Sequence, residues 1–329
     1  MLQLPDSWVW DAWYTRAADT YHAFFLYASK ALGDPELRHR RASIGHAVSR
    51  DLVHWERVAD ALVHASAPGF DQTATWTGSV TRGDDGRWYL FYTGTTTGDE
   101  GGLVQQIGLA TSTDLLTWTR AGRGPVASAD PRWYELSGGN ESWRDEHWRD
   151  PWVMRLPGSD EWHLLVTARS RDGQLDDRGV IGHATSSDLL NWDVRPPLSA
   201  PGSGFGFLEV PQVVEVDGRW ALIFNCPAER RPADAATPGG GIWALPLDDP
   251  LGPYAIAQAQ LLADERLYVG KALEAPDGSW VLIAFVNADE DGRFVGELTD
   301  PIPLRWEGDE LVIDHPASPP LASLRSLAG

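Results

Sequence analysis

The sequence predicts an all-β fold, a five-bladed β-propeller with its site in the central funnel, on three observations. Segments that combine a turn, a tryptophan and an apolar run recur about every 60 residues along the 329-residue chain. A second, stricter motif recurs in three of these intervals, and helical periodicity is almost absent. Radial repetition of four-stranded blades is the architecture that such spacing predicts.

The more widespread repeat predicts one strand in each blade. Its copies are "DDGRWYLFYTG" (84–94), "GSDEWHLLVTA" (158–168), "VDGRWALIFNC" (216–226) and "PDGSWVLIAFV" (276–286), and "ADTYHAFFLYA" (18–28) fits with His22 in the tryptophan position. Asp-Gly turns followed by β-branched or aromatic runs are typical of hairpins. We expect these segments to form the second strands, aligned at His22, Trp88, Trp162, Trp220 and Trp280.

The stricter motif predicts the next part of the blade. Its copies are "IGHAVSRDLVHWERV" (44–58), "IGLATSTDLLTWTRA" (107–121) and "IGHATSSDLLNWDVR" (181–195). An aspartate can bond backbone groups in a turn, and a tryptophan can cover the strand that follows. We therefore expect a third strand and the turn to the fourth, with Asp51, Asp114 and Asp188 in structural roles.

The end of the chain predicts closure of the domain. "LRWEGDELVID" (304–314) has the pattern of a last hairpin, and the residues around it are rich in proline. We expect residues 1–314 to form a single propeller catalytic domain and residues 315–329 to form a C-terminal tail.

Composition narrows the class of partner. The chain carries 47 acidic against 27 basic residues, a formal charge of −20, which disfavours binding to nucleic acids or to anionic membranes. Cys226 is the single cysteine, so no internal disulfide is expected, and neither a signal peptide nor an apolar run of roughly 20 residues is apparent. We expect a soluble, cytoplasmic protein of unspecified oligomeric state. The 17 tryptophans suit a small carbohydrate substrate.

Candidate catalytic acids follow from counting 11 or 12 residues back from each aligned marker. The count reaches Asp11, Asp150 and Glu209 in blades one, three and four, and Thr77 and Val269 in the other two. Because inner strands converge on the axis, we expect these residues to meet in one funnel. A structural motif would favour one residue type in all five blades, so the asymmetry indicates a site.

Carboxylates that share a narrow channel suit glycoside cleavage. Their repulsion and partial burial raise the pKa of at least one, and the reaction needs one protonated acid beside an ionised one. Arg149 can offset the charge and bind sugar hydroxyls. A Ca²⁺ site and turn-capping acids are the alternatives from the residues alone. His147 is either a general base or, more often for a histidine at a strand entry, structural.

At these residues the sequence resembles the five-bladed propeller hydrolases of glycoside hydrolase families 32, 68 and 43. Segments 44–62 and 77–94 are similar to family 32, the β-fructofuranosidases, and "WRDP" (148–151) matches the Arg-Asp-Pro motif of families 32 and 68. "VWDAW" (9–13) is closer to family 68, the levansucrase group. The similarity spans about residues 8–314.

The resemblance implies a role for each acid. Asp11 matches the nucleophile that forms a fructosyl-enzyme, and Glu209 matches the general acid/base. Asp150, with Arg149, matches the pair that grips sugar hydroxyls and stabilises the transition state. No metal and no cofactor is implied.

The resemblance also implies the walls of a fructose pocket. Trp10 and Trp76 match its aromatic walls, and Thr77 stands where these families usually have a serine. At Glu209 the sequence reads "EVPQ" where family 32 usually has Glu-Cys-Pro-Asp. We expect this difference to affect the choice of sugar more than the bond chemistry.

The sequence thus predicts a retaining β-fructofuranosidase that acts on sucrose or short fructooligosaccharides. The alternatives are an inverting arabinofuranosidase or xylosidase similar to family 43, a fructosyltransferase, and a non-catalytic sugar-binding propeller.

Overall fold

The computed structural model describes residues 1–66, 68–98, 101–136, 143–236 and 238–317. Blade one contains β1 (Ser7–Ala17), β2 (Thr20–Ser29), β3 (Ser43–Ser49) and β4 (Glu56–Arg57). Blade two contains β5 (Ala74–Arg82), β6 (Trp88–Thr97), β7 (Leu103–Ser112) and β8 (Thr119–Arg120). Blade three contains β9 (Trp148–Met154), β10 (Trp162–Arg169), β11 (Gly179–Ser186) and β12 (Asp193–Arg195). Blade four contains β13 (Glu209–Val216), β14 (Arg219–Cys226), β15 (Gly241–Leu247) and β16 (Gln260–Asp264).

Blade five completes the ring. It contains β17 (Leu267–Glu274), β18 (Trp280–Ala288), β19 (Phe294–Leu298), β20 (Ile302–Glu307) and β21 (Glu310–Ile313), where both β19 and β20 pair with β18. The inner strands β1, β5, β9, β13 and β17 contact one another in cyclic order. The predicted five-bladed β-propeller is therefore confirmed.

Short 3-10 helices connect some strands. They span Lys30–Leu32, Pro35–Arg40, Ala228–Arg230 and Ile256–Gln258. Within the described ranges, no helix is long and apolar enough to cross a membrane. The segment Pro35–Arg40 matters most below, because it brings His39 to the site.

Blade one closes onto blade five without sharing a strand. Among the strands of the described residues, β1 pairs with β2 alone, and it packs against β17, β18 and β19. The backbone N–H of Leu298 donates to the carbonyl of Leu2 at 3.0 Å. The hairpin predicted at 304–314 is present as β20 and β21. The last strand ends at Ile313, and most of the expected tail 315–329 lies outside the described residues.

The widespread repeat marks the second strands β2, β6, β10, β14 and β18, as predicted. The alignment was wrong by one residue in blade one, where Tyr21 occupies the tryptophan position. Counted from the matching inner-strand pairs Trp10–Leu26 and Arg149–Thr167, Tyr21 aligns with Trp162 and His22 aligns with His163. An aromatic ring therefore fills this place in all five blades.

This correction explains two matching histidine pairs. In blade one, His22 Nδ1 lies 3.0 Å from His46 Nε2. In blade three, His163 Nδ1 lies 3.1 Å from His183 Nε2, with the rings stacked in both pairs. Burial lowers the pKa of all four imidazoles, to about 3 for His46 and about 4 for His183, so the pairs are neutral.

The stricter motif builds the turn between the third and fourth strands. In blade three, Asp188 accepts the backbone N–H groups of Leu190 and Asn191 at 2.9 and 2.8 Å, and Trp192 donates to the carbonyl of Leu189 at 3.2 Å. Asp51 and Asp114 make the same contacts in blades one and two. The side chain of His54 and these backbone bonds lower the pKa of Asp51, and the backbone bonds lower the pKa of Asp114 and Asp188. The structural reading of the three acids agrees with these contacts.

Candidate active site

A β-bulge interrupts every inner strand at the same level. Asp11 is the extra residue between Trp10 and Ala12, and Thr77 is the extra residue between Trp76 and Gly78. Register shifts at the same level start at Asp150, Val210 and Val269 in the other blades. Four of these residues have positive φ: 37° for Asp11, 57° for Asp150 and 49° for both Val210 and Val269. A bulge redirects side chains, and here it turns two consecutive residues per blade toward the axis.

Glu209 does not occupy the same position as Asp11 and Asp150, contrary to the count along the sequence. It precedes the bulge residue Val210, and its counterparts are Trp10, Trp76, Arg149 and Tyr268. The count failed because the turn after β13 is one residue shorter than the turn after β5. Trp220 pairs with Glu215, whereas Trp88 pairs with Arg82. Glu209 thus lies beside the two aspartates rather than in register with them.

The ten residues at these two positions line one inner cavity of about 110 Å³, together with Leu26 and His39. This cavity continues into an outer cavity of about 740 Å³ that shares His39, Trp76, Arg149, Glu209 and Tyr268. Every site residue expected from the sequence lies on the inner wall: Trp10, Asp11, Trp76, Thr77, Arg149, Asp150 and Glu209. Their roles in catalysis and binding stay predictions.

Asp11 is a carboxyl whose charge is disfavoured by its surroundings. Burial raises the pKa of Asp11 to about 7, and the negative charges of Asp150 and Glu209 add to the effect. The hydroxyl of Thr77 donates to Asp11 Oδ2 at 2.7 Å and opposes the rise. Asp11 therefore changes its charge in the neutral pH range.

Asp150 is held by three donors. Thr167 Oγ1 donates to its Oδ2 at 2.8 Å, the backbone N–H of Val210 at 3.3 Å, and Arg149 Nε lies 3.2 Å away. The side chain is 4% exposed, and this burial raises the pKa of Asp150 although Arg149 opposes it. Its position depends on blades three and four together.

Glu209 is bound by two donors from different blades. Arg149 Nη2 donates to Oε1 at 2.6 Å, and the phenol of Tyr268 donates to Oε2 at 2.5 Å. Burial opposes the charge of Arg149, but Glu209 and Asp150 outweigh it and raise the pKa of the guanidinium. Arg149 is thus a permanent cation that joins two of the three acids.

His147 orients this arginine. Its Nδ1 lies 2.6 Å from Arg149 Nη1, which also donates to Gln105 Oε1 at 3.1 Å. Burial and the cations Arg149, Arg169 and Arg230 hold the pKa of His147 well below its ordinary value. His147 is therefore a neutral acceptor in this site, in agreement with a structural reading.

Two wall residues with polar side chains were not predicted, Tyr268 and His39. Tyr268 directly precedes Val269, so the repeat contained the signal: the residue before the bulge residue faces the site in each blade. His39 lies on the Pro35–Arg40 segment, edge-on to the rings of Trp10 and Trp76 at 6.4 and 6.2 Å. Burial and the charges of Arg38 and Arg149 lower the pKa of His39 to about 3. No repeat marks this connecting segment.

The residues that the structure describes contain no group of three His, Cys, Asp or Glu side chains placed to hold a metal ion. Arg149 and the hydrogen bonds from Thr77, Thr167 and Tyr268 offset part of the charge of the acids.

Sequence comparison finds relatives among enzymes that act on fructosides. A sucrose-6-phosphate hydrolase of Bacillus subtilis (strain 168) is 29% identical over 211 residues, 63% of this chain and 38% of that protein. A levanase of Bacillus sp. (strain L7) is 32% identical over 205 residues, 56% of this chain and 20% of that protein. The matched part spans well under half the length of these relatives.

Solved structures share the fold at low identity. An inulosucrase from Halalkalicoccus jeotgali bound to kestose superposes with a TM-score of 0.77 at 21% identity, covering 94% of this chain and 87% of that one. The Bacillus subtilis levansucrase has a TM-score of 0.72 at 18% identity, covering 95% and 87%. The model of the "Glycosyl hydrolases family 32 N-terminal domain" matches residues 12–241, a range that includes Asp150 and Glu209 and begins one residue after Asp11. The chain therefore belongs to glycosyl hydrolase family 32.

Proposed function

We propose that this chain cleaves β-fructofuranosides, such as sucrose or short fructooligosaccharides, with retention of configuration. The observation that supports it most is the meeting of carboxyl groups from blades one, three and four in one inner cavity beneath a wider outer cavity. The inner cavity would take the fructosyl ring, and the outer cavity would take the leaving group. Family membership supports the same reaction class.

Asp11 is the proposed nucleophile and Glu209 the proposed acid/base. Ionised Asp11 attacks the anomeric carbon while Glu209 gives its proton to the glycosidic oxygen, and the bond to the leaving group breaks. Glu209 then takes a proton from water, whose oxygen displaces Asp11 from the same carbon. The Thr77 hydroxyl favours the ionised form of Asp11 that the first step requires.

Arg149 and Asp150 are the proposed binding pair. The guanidinium is fixed by His147 and Gln105 on one side and reaches both Asp150 and Glu209 on the other. Sugar hydroxyls that enter the inner cavity would compete for these donors. Their competition would free Glu209 Oε1 to carry the proton for the leaving group.

Aromatic surfaces would select the ring that enters. Trp10 and Trp76 come from the position before the bulge in blades one and two, and His39 stands edge-on between them. The indole N–H of Trp76 donates to the carbonyl of His39 at 2.7 Å, which holds the segment Pro35–Arg40 against the wall. A flat sugar face packs well against such rings.

An activity screen tests the proposal. We expect release of fructose from sucrose or from inulin- or levan-type oligomers, and none of arabinose or xylose from the nitrophenyl arabinofuranoside and xyloside. ¹H NMR of the first-formed product should show the β-anomer. Release of inverted product or cleavage of only the nitrophenyl glycosides would overturn it in favour of a family 43-like inverting enzyme, and transfer products at high sucrose would show a fructosyltransferase.

Matched carboxylate substitutions test the residue roles. Asp11→Asn and Glu209→Gln should each lower kcat by at least about a thousandfold. Asp51→Asn changes an aspartate of a distant turn and should keep wild-type activity. Full activity in Asp11→Asn would contradict the assignment, and binding of fructosides without turnover by the wild type would indicate a non-catalytic propeller.

A further inference from the structure

Lys271 is a buried cation that the proposed mechanism does not use. It lies on β17, two residues beyond the bulge residue Val269, and is 3% exposed. Its ammonium donates to the backbone carbonyls of Val210 and Pro211, each at 3.2 Å, and lies 5.2 Å from the ring centre of Trp152. Among the described residues, no carboxylate forms an ion pair with it.

The layer beneath the acids is otherwise uncharged. The residues two positions beyond each bulge residue are Trp13, Ser79, Trp152, Gln212 and Lys271. Burying an ammonium without a carboxylate partner is unfavourable in general, so its position calls for a compensating benefit.

Lys271 binds the peptide groups that form the blade-four bulge. Val210 accepts a hydrogen bond from Lys271 through its carbonyl and donates to Asp150 Oδ2 through its N–H at 3.3 Å. Glu209 is the residue immediately before it, and its own carbonyl is held by Asn225 Nδ2 at 3.1 Å. The ammonium thus fixes the short segment that presents Glu209 and contacts Asp150.

We propose that Lys271 is a positioning residue of the glycosidase, which fixes the bulge that presents Glu209 and supplies the positive charge that allows Asp11 and Asp150 to be ionised together. This inference rests on the proposed function. The role differs from that of Arg149, which contacts Asp150 and Glu209 directly from within the cavity wall.

The charges around Lys271 decide in which direction its removal should shift the pH profile of activity. Asp150 of β9 and Asp11 of β1 act on it from two blades, while β13 offers carbonyls only, since Glu209 is bound by Arg149 and Tyr268. Burial lowers the pKa of Lys271 to about 7, and the two aspartates oppose this. Removing the ammonium makes the aspartates harder to ionise, so the acid limb of the pH profile should move to higher pH.

Lys271→Met and Lys271→Gln separate the two parts of the role. The methionine removes charge and hydrogen bonds, whereas the glutamine amide still donates to the carbonyls without charge. We expect kcat to fall at least about tenfold in Lys271→Met, with KM changed by less than about threefold. In both variants the acid limb of kcat/KM should move to higher pH. If Lys271→Met does not fold, Lys271→Gln provides the same test of charge.

Trp306→Phe is the matched control for the contact between the same two blades. The indole of Trp306 donates to the carbonyl of Val216 at 2.8 Å at the outer end of β13. Its loss should lower Tm and leave kcat and the acid limb unchanged. A purely structural Lys271 would behave in the same way, and that result would overturn the proposal.

A titration without substrate keeps this test separate from the test of function. ¹³C NMR of aspartate-labelled free protein should show the carboxyl of Asp11 titrating at higher pH in Lys271→Met and Lys271→Gln than in the wild type. Unchanged titration would overturn the proposal. Failure of the proposed function would appear differently, as absence of fructoside turnover in the wild type while this titration still responds to Lys271.

Discussion

Removal of the Thr77 hydroxyl should change the pH dependence of activity more than activity itself. Thr77→Val keeps the shape of the side chain and deletes the donor that lies 2.7 Å from Asp11 Oδ2. A hydrogen bond to a charged group contributes about 1.5–3 kcal/mol, which corresponds to about 1–2 pH units. The acid limb of kcat/KM, expected near the Asp11 pKa of about 7, should therefore move upward by that amount.

The size of the loss follows from the ionised fraction. In the wild type about half of Asp11 is ionised at pH 7, whereas in Thr77→Val the fraction falls to roughly 1–10%. Activity at pH 7 should be about 5- to 50-fold lower than in the wild type, and this difference should narrow as the pH rises toward 9. Initial rates on the preferred fructoside from pH 5 to 9.5 measure both limbs.

Thr95→Val is the matched control. Thr95 is a buried threonine of β6, the strand that pairs with the Thr77 strand β5. Its hydroxyl donates to the carbonyl of Ala74 at 3.4 Å rather than to a carboxylate. The acid limb of kcat/KM in Thr95→Val should lie at the same pH as in the wild type. An unmoved limb in Thr77→Val, or a loss that is the same at every pH, would refute the link between Thr77 and the ionisation of Asp11.

Three further results are expected. Because His46 is buried with a pKa of about 3, the unfolded chain takes up this proton first, and the free energy of unfolding falls as the pH drops from about 6.5 to about 3. In urea titrations, His46→Leu should reduce the slope of the unfolding free energy against pH by up to about 1.4 kcal/mol per pH unit. A slope equal to that of the wild type would contradict this. Asp188→Ala should cost about 1 kcal/mol in thermal unfolding without affecting turnover, since it loses bonds to Leu190 and Asn191; reduced kcat would argue against a purely structural turn. Dialysis against EDTA should leave activity unchanged, and inhibition reversed by Ca²⁺ would contradict the expected independence from metal.

The repeated parts of the fold could be predicted because each repeat carries its own chemistry. The turns around Asp51, Asp114 and Asp188 are closed by bonds within a few residues, so the local pattern decides them. The position of Tyr21 was not recognised because any aromatic ring fits there in the blade, and the neighbouring His22 was equally suitable in the sequence.

The site was predicted less well than the fold, because it depends on register across blades. A one-residue difference in a turn shifts Glu209 from the bulge to the position before it. His39 and Lys271 reach the site from a connecting segment and from the layer below, where no repeat points to them. Contacts between residues more than 60 positions apart, such as that of Thr77 with Asp11, follow from the closed ring.

The five bulges also have a thermodynamic consequence. Left-handed backbone costs about 1–2 kcal/mol per non-glycine residue, and a β-branched side chain such as that of Val210 or Val269 is especially unsuited to it. Four such residues store roughly 4–8 kcal/mol, which is comparable with the whole stability of many domains. Val269→Gly would relieve this strain, but it would also remove a side chain that is 2% exposed and packs in the core, and it would loosen the wall beside Tyr268. Stability and a firmly shaped cavity are therefore opposed at these positions, and attempts to make the protein more thermostable would do better away from the axis.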